Sequence, residues 1–488
     1  MEISIELKKL SIGYADNSII IVPYFEETLK RKDPSLWRGL EAVLKHENGD
    51  GKKGKQTKIT HNNSLYTFVG LGSEKDFSIS KLQNEFAQAI REQRTEDRLL
   101  TIDTSALLSV ASVDSMLYET TLICHLAHFE FTKYLSNAKE PKKKKIIILL
   151  KNPSKEDTQI MYNAERLAEG IIYTRSIINE PANIATPSFM VNEIKKAAKT
   201  LKWKVDIFDA KKLSKMGLNL IVAVGQGSSE PSYFTHISYR GAPKKKEVYA
   251  LVGKGVCFDT GGVQTKDGFN MNSMKHDKGG AVTVLGVLRT LSKLRAKVNV
   301  DLYIPFVKNS VDGAAYQPDD IFTAYNKKTV EIRHTDAEGR LILADALAYA
   351  CEKNPTEIHD FATLTGAATI ALGSEFGAIL GTNQKAMEQL VTLGKNINDQ
   401  VWQLPMHDTY REYLKSGVAD IANVPFMPRQ PGTITGAMFL KEFVKEEIPW
   451  IHFDIAAVIE KDKAYGIYST YATGRIVRLM TEYLLSKQ

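Results

Sequence analysis

The sequence predicts an α/β protein with two domains: a smaller N-terminal α/β domain and a larger C-terminal domain with a mostly parallel central sheet flanked by helices. Three observations support this. The chain has 488 residues, which is enough for more than one domain. Short apolar, β-branched runs alternate with helix-length segments, as is typical of parallel sheets covered by helices. A long helical segment followed by prolines separates two regions of different pattern.

Residues 1–155 are predicted to form the N-terminal domain. The opening residues alternate as in a strand and lack the cationic tip and apolar block of a signal peptide. Further strands are predicted at Ile19–Val22, Leu65–Val69 and Ile146–Leu150, and helices at Ser78–Ile90 and Leu117–Tyr134.

A linker helix is predicted over residues 156–180, and residues 181–488 form the predicted second domain. Pro181 and Pro187 mark the end of the helix, because proline cannot continue it. Ligands of such sheets bind beyond the carboxyl ends of the strands. Strands are predicted at Val205–Phe208, Leu220–Val224, Phe234–Ser238, Val248–Val252, Val300–Pro305, Ile358–Leu364 and Ile451–Ile455, and helices at Ala281–Leu294 and Leu341–Lys353.

Composition narrows the classes of protein. Apolar residues make up 43% and charged residues 25%, as in ordinary globular proteins, and no apolar run is long enough to span a membrane. Three cysteines give no disulfide framework and favour a reducing compartment, so we expect a cytoplasmic protein. The net charge of +7 leaves nucleic-acid binding open; the basic runs Lys142–Lys145 and Lys244–Lys246 are more simply interpreted as solvated loops.

Several common motifs fail. Gly49–Lys55 fits the start of a phosphate-binding loop, but Gln56 stands where Ser or Thr must hold magnesium, so we interpret the segment as a flexible hairpin or loop. Neither H-E-x-x-H nor G-x-S-x-G occurs. A histidine zinc peptidase and a serine hydrolase are therefore unsupported.

Charged residues instead concentrate in three glycine-flanked segments. The first follows the strand at Val248, the second precedes an apolar helix, and the third is predicted to be extended, with its charged side chains on one side. The residues are Lys254, Asp259 and Lys266 in the first segment, Asp277 in the second, and Asp336, Glu338 and Arg340 in the third.

Four converging carboxylates would repel one another and raise their own pKa values. Divalent metal ions can neutralise them; hard oxygen ligands suit Mn²⁺ or Mg²⁺, and Zn²⁺ also accepts carboxylates. A pair of ions can deprotonate a water and polarise a carbonyl, which indicates hydrolysis. The alternative is a surface salt-bridge network between unrelated loops, but three glycine-flanked segments after predicted strands argue against it.

Two segments, VGKGVCFDTGG from Val252 and TDAEGRL from Thr335, resemble the cytosolic leucyl aminopeptidase family of dimetal exopeptidases. The spacings among Lys254, Asp259, Lys266 and Asp277 also match that family, as do NEPAN from Asn179 and ATLTGA from Ala362. The resemblance covers about residues 165–488 and does not extend to the N-terminal region.

The resemblance implies five metal ligands: Lys254, Asp259, Asp277, Asp336 and Glu338. Asp259 and Glu338 would bridge the two metals. A ligating lysine must be neutral, so Lys254 would need a strongly lowered pKa. Arg340 and Lys266 would be catalytic: Arg340 holding a bicarbonate as general base, and Lys266 polarising the scissile carbonyl.

The implied reaction releases N-terminal amino acids from peptides through a hydroxide activated by two metal ions, Mn²⁺ or Zn²⁺, one of which binds the substrate's free amine. The family also implies a homohexamer. The implied side-chain pocket favours Leu or Met, although such discrimination is worth only ~1–3 kcal/mol. Core packing is the alternative role for Met274 and Ile459. The residues implied to line the pocket are Met274, Thr363, Gly366, Ala456 and Ile459.

The chain departs from the family around the site. His334 replaces Asn, Gln264 and Asp267 flank Lys266 where Ser and Pro are common, Asn272 replaces Asp, and Lys278 replaces an apolar residue. No implied ligand or catalytic residue is lost, so the departures bear on metal preference and pH optimum. Two other hypotheses stand beside the aminopeptidase: a nucleic-acid-binding module and an inactive structural relative.

Overall fold

The computed structural model describes residues 3–10, 14, 17–30, 40–138, 143–427 and 430–488. The chain divides into two compact units, one of residues Met1–Ile172 with Asp462–Thr470, the other of Tyr173–Lys461 with Tyr471–Gln488. The division falls inside a single helix, Lys155–Asn179, in the region predicted as the linker helix. No pattern in the sequence had assigned Asp462–Thr470 to the first unit.

The first unit contains a six-stranded sheet in the order β1-β6-β5-β2-β4-β3, in which only β3 runs antiparallel to its neighbour. The predicted strands correspond to β1, β2, β4 and β6, whereas β3 and β5 were not predicted. The elements are β1 (Ile3–Lys9), β2 (Ile19–Tyr24), α1 (Glu41–His46), β3 (Gln56–His61), β4 (Ser64–Gly70), α2 (Ile79–Glu92), β5 (Leu100–Asp103), α3 (Val113–His128), β6 (Lys144–Leu150) and α4 (Lys155–Asn179).

Helix α3 does not occupy the range predicted for it, Leu117–Tyr134. It begins earlier because the Ser112 hydroxyl accepts a hydrogen bond from the Ser115 amide (3.2 Å) and caps the first turn. It ends at His128, and Phe129 is already extended. The apolar pattern had run past this end, because aromatic residues continue into the following segment.

The second unit contains the larger sheet and most of the helices. Its elements are α5 (Pro187–Leu201), β7 (Lys204–Asp209), α6 (Ala210–Met216), α7 (Asn219–Gly225), β8 (Tyr233–Arg240), β9 (Tyr249–Gly253), β10 (Gly255–Asp259), α8 (Gly268–Met271), α9 (Gly279–Lys293), β11 (Asn299–Asn309), β12 (Ile321–Thr323), β13 (Thr329–Glu331), α10 (Glu338–Cys351), β14 (Glu357–Ala362), α11 (Gly366–Leu372), β15 (Gly377–Gly381), α12 (Gln384–Ile397), β16 (Val401–Gln403), β17 (Ile421–Ala422), α13 (Gly432–Lys441), β18 (Trp450–Asp454), β19 (Glu460–Lys461), β20 (Tyr471–Ala472) and α14 (Val477–Leu485).

The nine-stranded sheet has the order β16-β15-β18-β14-β9-β11-β8-β7, and β10 pairs with β11 off this path. The central strands β18, β14, β9 and β11 are mutually parallel, whereas β15 and β8 introduce antiparallel pairs toward the edges. The predicted fold class, a mostly parallel sheet with flanking helices, is confirmed. The carboxyl ends of the central strands meet at one edge of this sheet.

The run Leu220–Val224 is a helix, α7, and its prediction as a strand was wrong. Short, wholly apolar runs do not distinguish a buried strand from a buried helix. A long-range contact favours the helix: the buried Asp345 carboxylate accepts hydrogen bonds from the amides of Leu220 (2.8 Å) and Ile221 (3.2 Å). Those amides lie in the first turn, where they have no partner within the helix.

Strand β9 is covered on both faces. Ala250 and Val252 pack in the hydrophobic cluster that includes α10, whereas a Cβ at Gly253 would lie 2.7 Å from the Cα of Ala281 in α9. Alternation of side chains along a strand accounts for this division. Close approach of α9 to the sheet therefore depends on small residues at the contact.

Within the described ranges, no helix is long and apolar enough to cross a membrane. Cys124, Cys257 and Cys351 are all buried and free.

Replacing Gly280 with alanine tests the close approach of α9. A Cβ at Gly280 would lie 2.0 Å from the carbonyl oxygen of Phe361 in β14, so the backbone must move. We expect G280A to cost about 2–3 kcal/mol, as overpacking does, and to lower the apparent melting temperature. G313A is the control, since nothing lies within 4 Å of a Cβ there. Equal melting temperatures for the two variants would contradict the packing described.

Candidate active site

Lys254 lies between β9 and β10, at the carboxyl edge of the sheet, and contacts two buried carboxylates. Its Nζ is 2.7 Å from Asp277 Oδ1 and 2.9 Å from Glu338 Oε1. The Nζ also donates a hydrogen bond to the carbonyl oxygen of Thr363, at 2.8 Å. Gly339 makes room, because a Cβ there would lie within 2.7 Å of the lysine side chain.

Lys266 contacts the other two carboxylates, those of Asp259 and Asp336. Its Nζ is 2.9 Å from Asp259 Oδ2 and also pairs with Asp336 Oδ1. Asp259 ends β10, and the turn after it requires glycine, since Gly261 and Gly262 have φ values of 89° and 70°. The turn reverses the direction of the chain, so that Lys266 lies close to Asp259 at the end of β10.

Ion pairs and the carboxylate cluster thus bring together six of the seven residues singled out in the three charged segments, and Arg340 lies two residues after Glu338 in the chain. The third segment is not extended, however, and the period-two argument for it was wrong. Glu338 begins helix α10 and Arg340 lies in its first turn, while Asp336 precedes the helix. Asp277 lies in a short 3₁₀ helix, Met274–Lys278, directly before α9, as the sequence indicated.

Carboxylate oxygens of Asp259, Asp336 and Glu338 lie within 4.8 Å of one another. Asp277 Oδ2 is buried and has no hydrogen-bond partner among the described residues. A buried charged oxygen without a partner is costly, and a cation would relieve that cost. The donor set, carboxylate oxygens with one amine, fits divalent ions such as Mn²⁺ and Zn²⁺.

The electrostatics of the cluster follow from burial and repulsion. Burial raises the pKa of Asp277 to about 8 and that of Asp336 to about 7, and in both cases the charges of Glu338 and Asp259 add to the effect. Burial also raises the pKa of Glu338, but the charges of Lys254 and Lys266 outweigh it and hold that pKa below its usual value.

The two lysines respond in the opposite direction. Burial lowers the pKa of Lys254, but the charges of Asp277, Glu338 and Asp259 outweigh burial and raise it well above its ordinary value. Without a metal ion Lys254 is therefore a cation, and the lowered pKa expected of a ligand is not a property of this metal-free arrangement. Burial lowers the pKa of Lys266 too, and again the surrounding carboxylates raise it overall.

Arg340 is buried, and burial lowers its pKa to about 10. Its Nη1 donates to the carbonyl oxygen of Asn423 (2.7 Å), whereas its Nε has no hydrogen-bond partner within the described part of the chain. The arginine lines a cavity of about 490 Å³ together with His334, Phe426 and Met427. Arg333 and the carboxylates of Asp319 and Glu331 also line this cavity.

The residues implied to form the side-chain pocket lie in two loops, in one 3₁₀ helix and, for Gly366, at the start of α11. The Thr363 hydroxyl donates to Asp277 Oδ1 (2.7 Å). A Cβ at Gly279 would meet Ile459 at 2.7 Å and Thr363 at 3.4 Å, so these two side chains converge there. Met274 begins the 3₁₀ helix that carries Asp277, and Gly366 faces open space.

The departures from the family pattern have specific contacts. The side-chain oxygen of Gln264 accepts a hydrogen bond from the backbone amide of Thr335 (2.7 Å). The backbone amide of Gln264 donates to the Thr335 hydroxyl (3.0 Å). His334 Nδ1 accepts from the Asp336 amide (3.1 Å), and burial lowers the pKa of this histidine. Asp267 is exposed and caps α8.

Lys278 is a fully buried lysine, and burial lowers its pKa to about 8. Its Nζ donates to three carbonyl oxygens, those of Ile178 (3.1 Å), Glu180 (3.1 Å) and Lys275 (2.7 Å). These hydrogen bonds of Lys278 connect the segment before Asp277 to the end of α4.

Sequence reasoning missed Asn309, which ends β11. Its Nδ2 donates to Asp259 Oδ1 (2.8 Å) and to the Thr335 carbonyl oxygen (3.0 Å), so it joins two of the charged segments. Tyr316 adds a second bond to the same carbonyl, at 2.6 Å. A single polar residue gives little signal in the sequence, and its place at the carboxyl end of a central strand, where ligands bind, becomes evident only from the fold.

Comparisons with known proteins agree with this geometry. Residues 172–481 match the model of the cytosol aminopeptidase family, catalytic domain. A probable cytosol aminopeptidase of Sulfurihydrogenibium sp. is 36% identical over 100% of this chain and 98% of its own length. That of Persephonella marina is 40% identical over 74% of this chain and 73% of its own.

Solved structures are also similar. A mutant of tomato leucine aminopeptidase has a TM-score of 0.88 at 31% identity, covering 99% of this chain and 96% of that one. The bottromycin maturation enzyme BotP in complex with Mn has a TM-score of 0.86 at 26% identity, covering 96% and 99%. The chain belongs to the cytosol aminopeptidase family and is a peptidase, a hydrolase of peptide bonds.

The raised carboxyl pKa values predict how Mn²⁺ binding depends on pH. Asp277 and Asp336 hold protons up to about pH 8 and 7 in the metal-free protein and must lose them to ligate a metal. Binding should release protons, and affinity measured by calorimetry should rise from pH 6 to pH 8. D336N, which carries no such proton at this position, should bind more weakly and with a shallower pH dependence. Affinity that does not change with pH in the unaltered protein would contradict the assignment.

Proposed function

We propose that the protein is a metal-dependent aminopeptidase that releases N-terminal amino acids, preferably leucine or methionine, from peptides. The observation that carries this proposal is the cluster of Asp259, Asp336 and Glu338, of which Asp336 is partly exposed, with Asp277 beside it and a lysine at each end. The names of the relatives, cytosol and leucine aminopeptidases, support the same activity.

Five side chains would hold two divalent ions: Lys254, Asp259, Asp277, Asp336 and Glu338. When bound, a pair of such ions would lower the pKa of a water, polarise the scissile carbonyl and accept the substrate's free amine as a ligand. Mn²⁺ and Zn²⁺ both suit these donors, and the relative solved with Mn favours the former. Lys254 would give up the proton that the carboxylates hold on it in the metal-free protein.

Lys266 would polarise the scissile carbonyl. It is a cation, since Asp259 and Asp336 keep it protonated, and its contacts with them fix the position of its charge. An ammonium held in a largely buried site stabilises negative charge that develops on the carbonyl oxygen more strongly than one in water.

Arg340 would hold a bicarbonate ion, which supplies a general base. The place of Arg340 in the wall of a cavity of about 490 Å³ supports an anion there. Hydrolysis then adds water oxygen to the carbonyl carbon, breaks the carbon–nitrogen bond and transfers a proton to the leaving amine.

The first side chain of the substrate would contact Met274, Thr363, Gly366, Ala456 and Ile459. Thr363 and Ile459 converge over Gly279 next to Asp277, on the Lys254 side of the cluster. The apolar atoms of these residues favour Leu or Met as the first side chain. Discrimination between substrates that differ by one methylene group is worth ~1–3 kcal/mol.

A role in nucleic-acid binding has less support. The loop after β8 exposes Lys244, Lys245 and Lys246 to solvent, as is common for lysines in loops. Lys142 lies outside the described residues. The intact cluster also argues against an inactive relative. We further propose the cytosol as the location, which the relatives' names support.

The activity is tested with a leucyl p-nitroanilide. We expect hydrolysis that a chelator abolishes and Mn²⁺ or Zn²⁺ restores, and a loss of at least about a hundredfold in kcat/KM for E338Q, because its carboxylate is needed to hold the metal. D345N is the matched control, an equally buried carboxylate on the same helix that contacts only backbone amides. Full activity in E338Q, or activity in the presence of chelator, would contradict the proposal.

The homohexamer implied by the family is tested by light scattering. We expect the mass of six copies of the 54.5 kDa chain at micromolar concentration. A monomer or dimer mass under conditions in which the protein is active would show that the proposed assembly is wrong.

A further inference from the structure

Asp454 is a fully buried carboxylate at the carboxyl end of β18, and none of the metal or catalytic roles above uses it. No lysine, arginine or histidine among the described residues forms an ion pair with it. The charge of Asp454 acts on Arg340 and His452 without a direct ion pair, and its direct partners are hydrogen-bond donors of two loops. A fully buried carboxylate is costly unless several donors face it, so the arrangement of those donors indicates what it holds in place.

The first loop leads from β14 to α11. Asp454 Oδ1 accepts from the amides of Leu364 (3.1 Å) and Thr365 (3.4 Å), and Oδ2 accepts from the Thr365 hydroxyl (2.6 Å). That hydroxyl also contacts the Thr433 hydroxyl at 2.8 Å and accepts from the amide of Ala368 in α11.

The second loop follows β18 itself. Asp454 Oδ1 accepts from the Ala456 amide (3.3 Å). The two strands leave the sheet side by side, since Ala362 pairs with Asp454 and the Ile455 amide donates to the Ala362 carbonyl oxygen (2.8 Å). One carboxylate therefore binds both loops at the point where regular pairing ends.

Both loops carry residues of the proposed substrate pocket. Thr363 and Gly366 flank the two residues bound by Asp454 in the first loop, and Ala456 and Ile459 belong to the second. The first loop is also fixed on its other side, where Thr363 accepts from Lys254 Nζ (2.8 Å) and donates to Asp277 Oδ1 (2.7 Å). The pocket wall is thus held between the proposed metal ligands and Asp454.

We propose that Asp454 is a positioning residue that sets the width of the substrate side-chain pocket by holding residues 363–366 and 456–459 at a fixed separation. This inference rests on the proposed aminopeptidase function. It assigns Asp454 no contact with the substrate. Its effect reaches the substrate through Thr363, Gly366, Ala456 and Ile459, and so falls on the recognition of the first side chain.

The test is the ratio of kcat/KM for leucyl over alanyl p-nitroanilide. A large first side chain needs the pocket walls at the right distance, whereas alanine makes few contacts with them. We expect D454A to lower the ratio about tenfold, within the range that apolar side-chain recognition supplies. D454N should keep the ratio within about threefold of the unaltered protein, because its Oδ1 still accepts the three amides and its Nδ2 can donate to Thr365 while Thr365 donates to Thr433.

D360N is the matched control. Asp360 is equally buried, lies in β14 beside β18, and accepts hydrogen bonds from Trp450 and His452 rather than from the pocket loops. Its replacement should lower stability without changing the ratio. T365V provides a second variant that keeps side-chain shape but removes the bond to Oδ2, and it should lower the ratio in the same direction if D454A does not fold.

Three outcomes overturn the inference: a ratio unchanged in T365V, a ratio that falls as far in D360N as in the Asp454 variants, or D454N no better than D454A. The last would assign the effect to charge rather than to position. An unaltered protein that hydrolyses neither amide would instead contradict the proposed function, so the two failures are distinguishable.

Discussion

Every contact in the site answers the mutual repulsion of four carboxylates, three of them buried and the fourth, Asp336, partly exposed. Two unit charges 4 Å apart interact by about 4 kcal/mol at the effective dielectric constant of a protein surface, so Asp259, Asp277, Asp336 and Glu338 cannot all be ionised without cations between them. Lys254 and Lys266 partly meet this need, while burial, together with the charges of Glu338 and Asp259, raises the pKa values of Asp277 and Asp336. The remaining deficit of positive charge is what divalent ions would supply.

The fold holds these groups together against their repulsion. Lys254 and Asp259 follow and end β9 and β10, which pair in succession with the same strand, β11, and Asn309 at the end of β11 binds both Asp259 and the segment that precedes Asp336. Close packing of α9 and α10 on the same sheet brings Asp277 and Glu338 to Lys254, through glycines that leave room for the side chain. The rigid sheet thus supplies the free energy that assembles an otherwise unfavourable cluster.

Much of this was predictable because its signals are local. Strong β-branched runs marked the central strands, and glycine-flanked charged residues after them marked the site. Leu220–Val224 was assigned wrongly because its helix depends on Asp345, a partner 125 residues away. The third charged segment was expected to be extended, since spacing alone does not show that Glu338 starts a helix. Asn309 and Asp454 were not predicted as site residues, because a single polar residue at a strand end carries no pattern. Only the pairing of the strands shows what such a residue binds.

The central claim is that the four carboxylates and Lys254 form a two-metal site. Crystals of the protein grown with Mn²⁺ and measured at the manganese absorption edge test it most directly. We expect two anomalous peaks ~3.5–4 Å apart, in contact with Asp259, Asp277, Asp336 and Glu338. No peak in the cluster under conditions in which the protein hydrolyses peptides, or peaks bound only elsewhere, would contradict it.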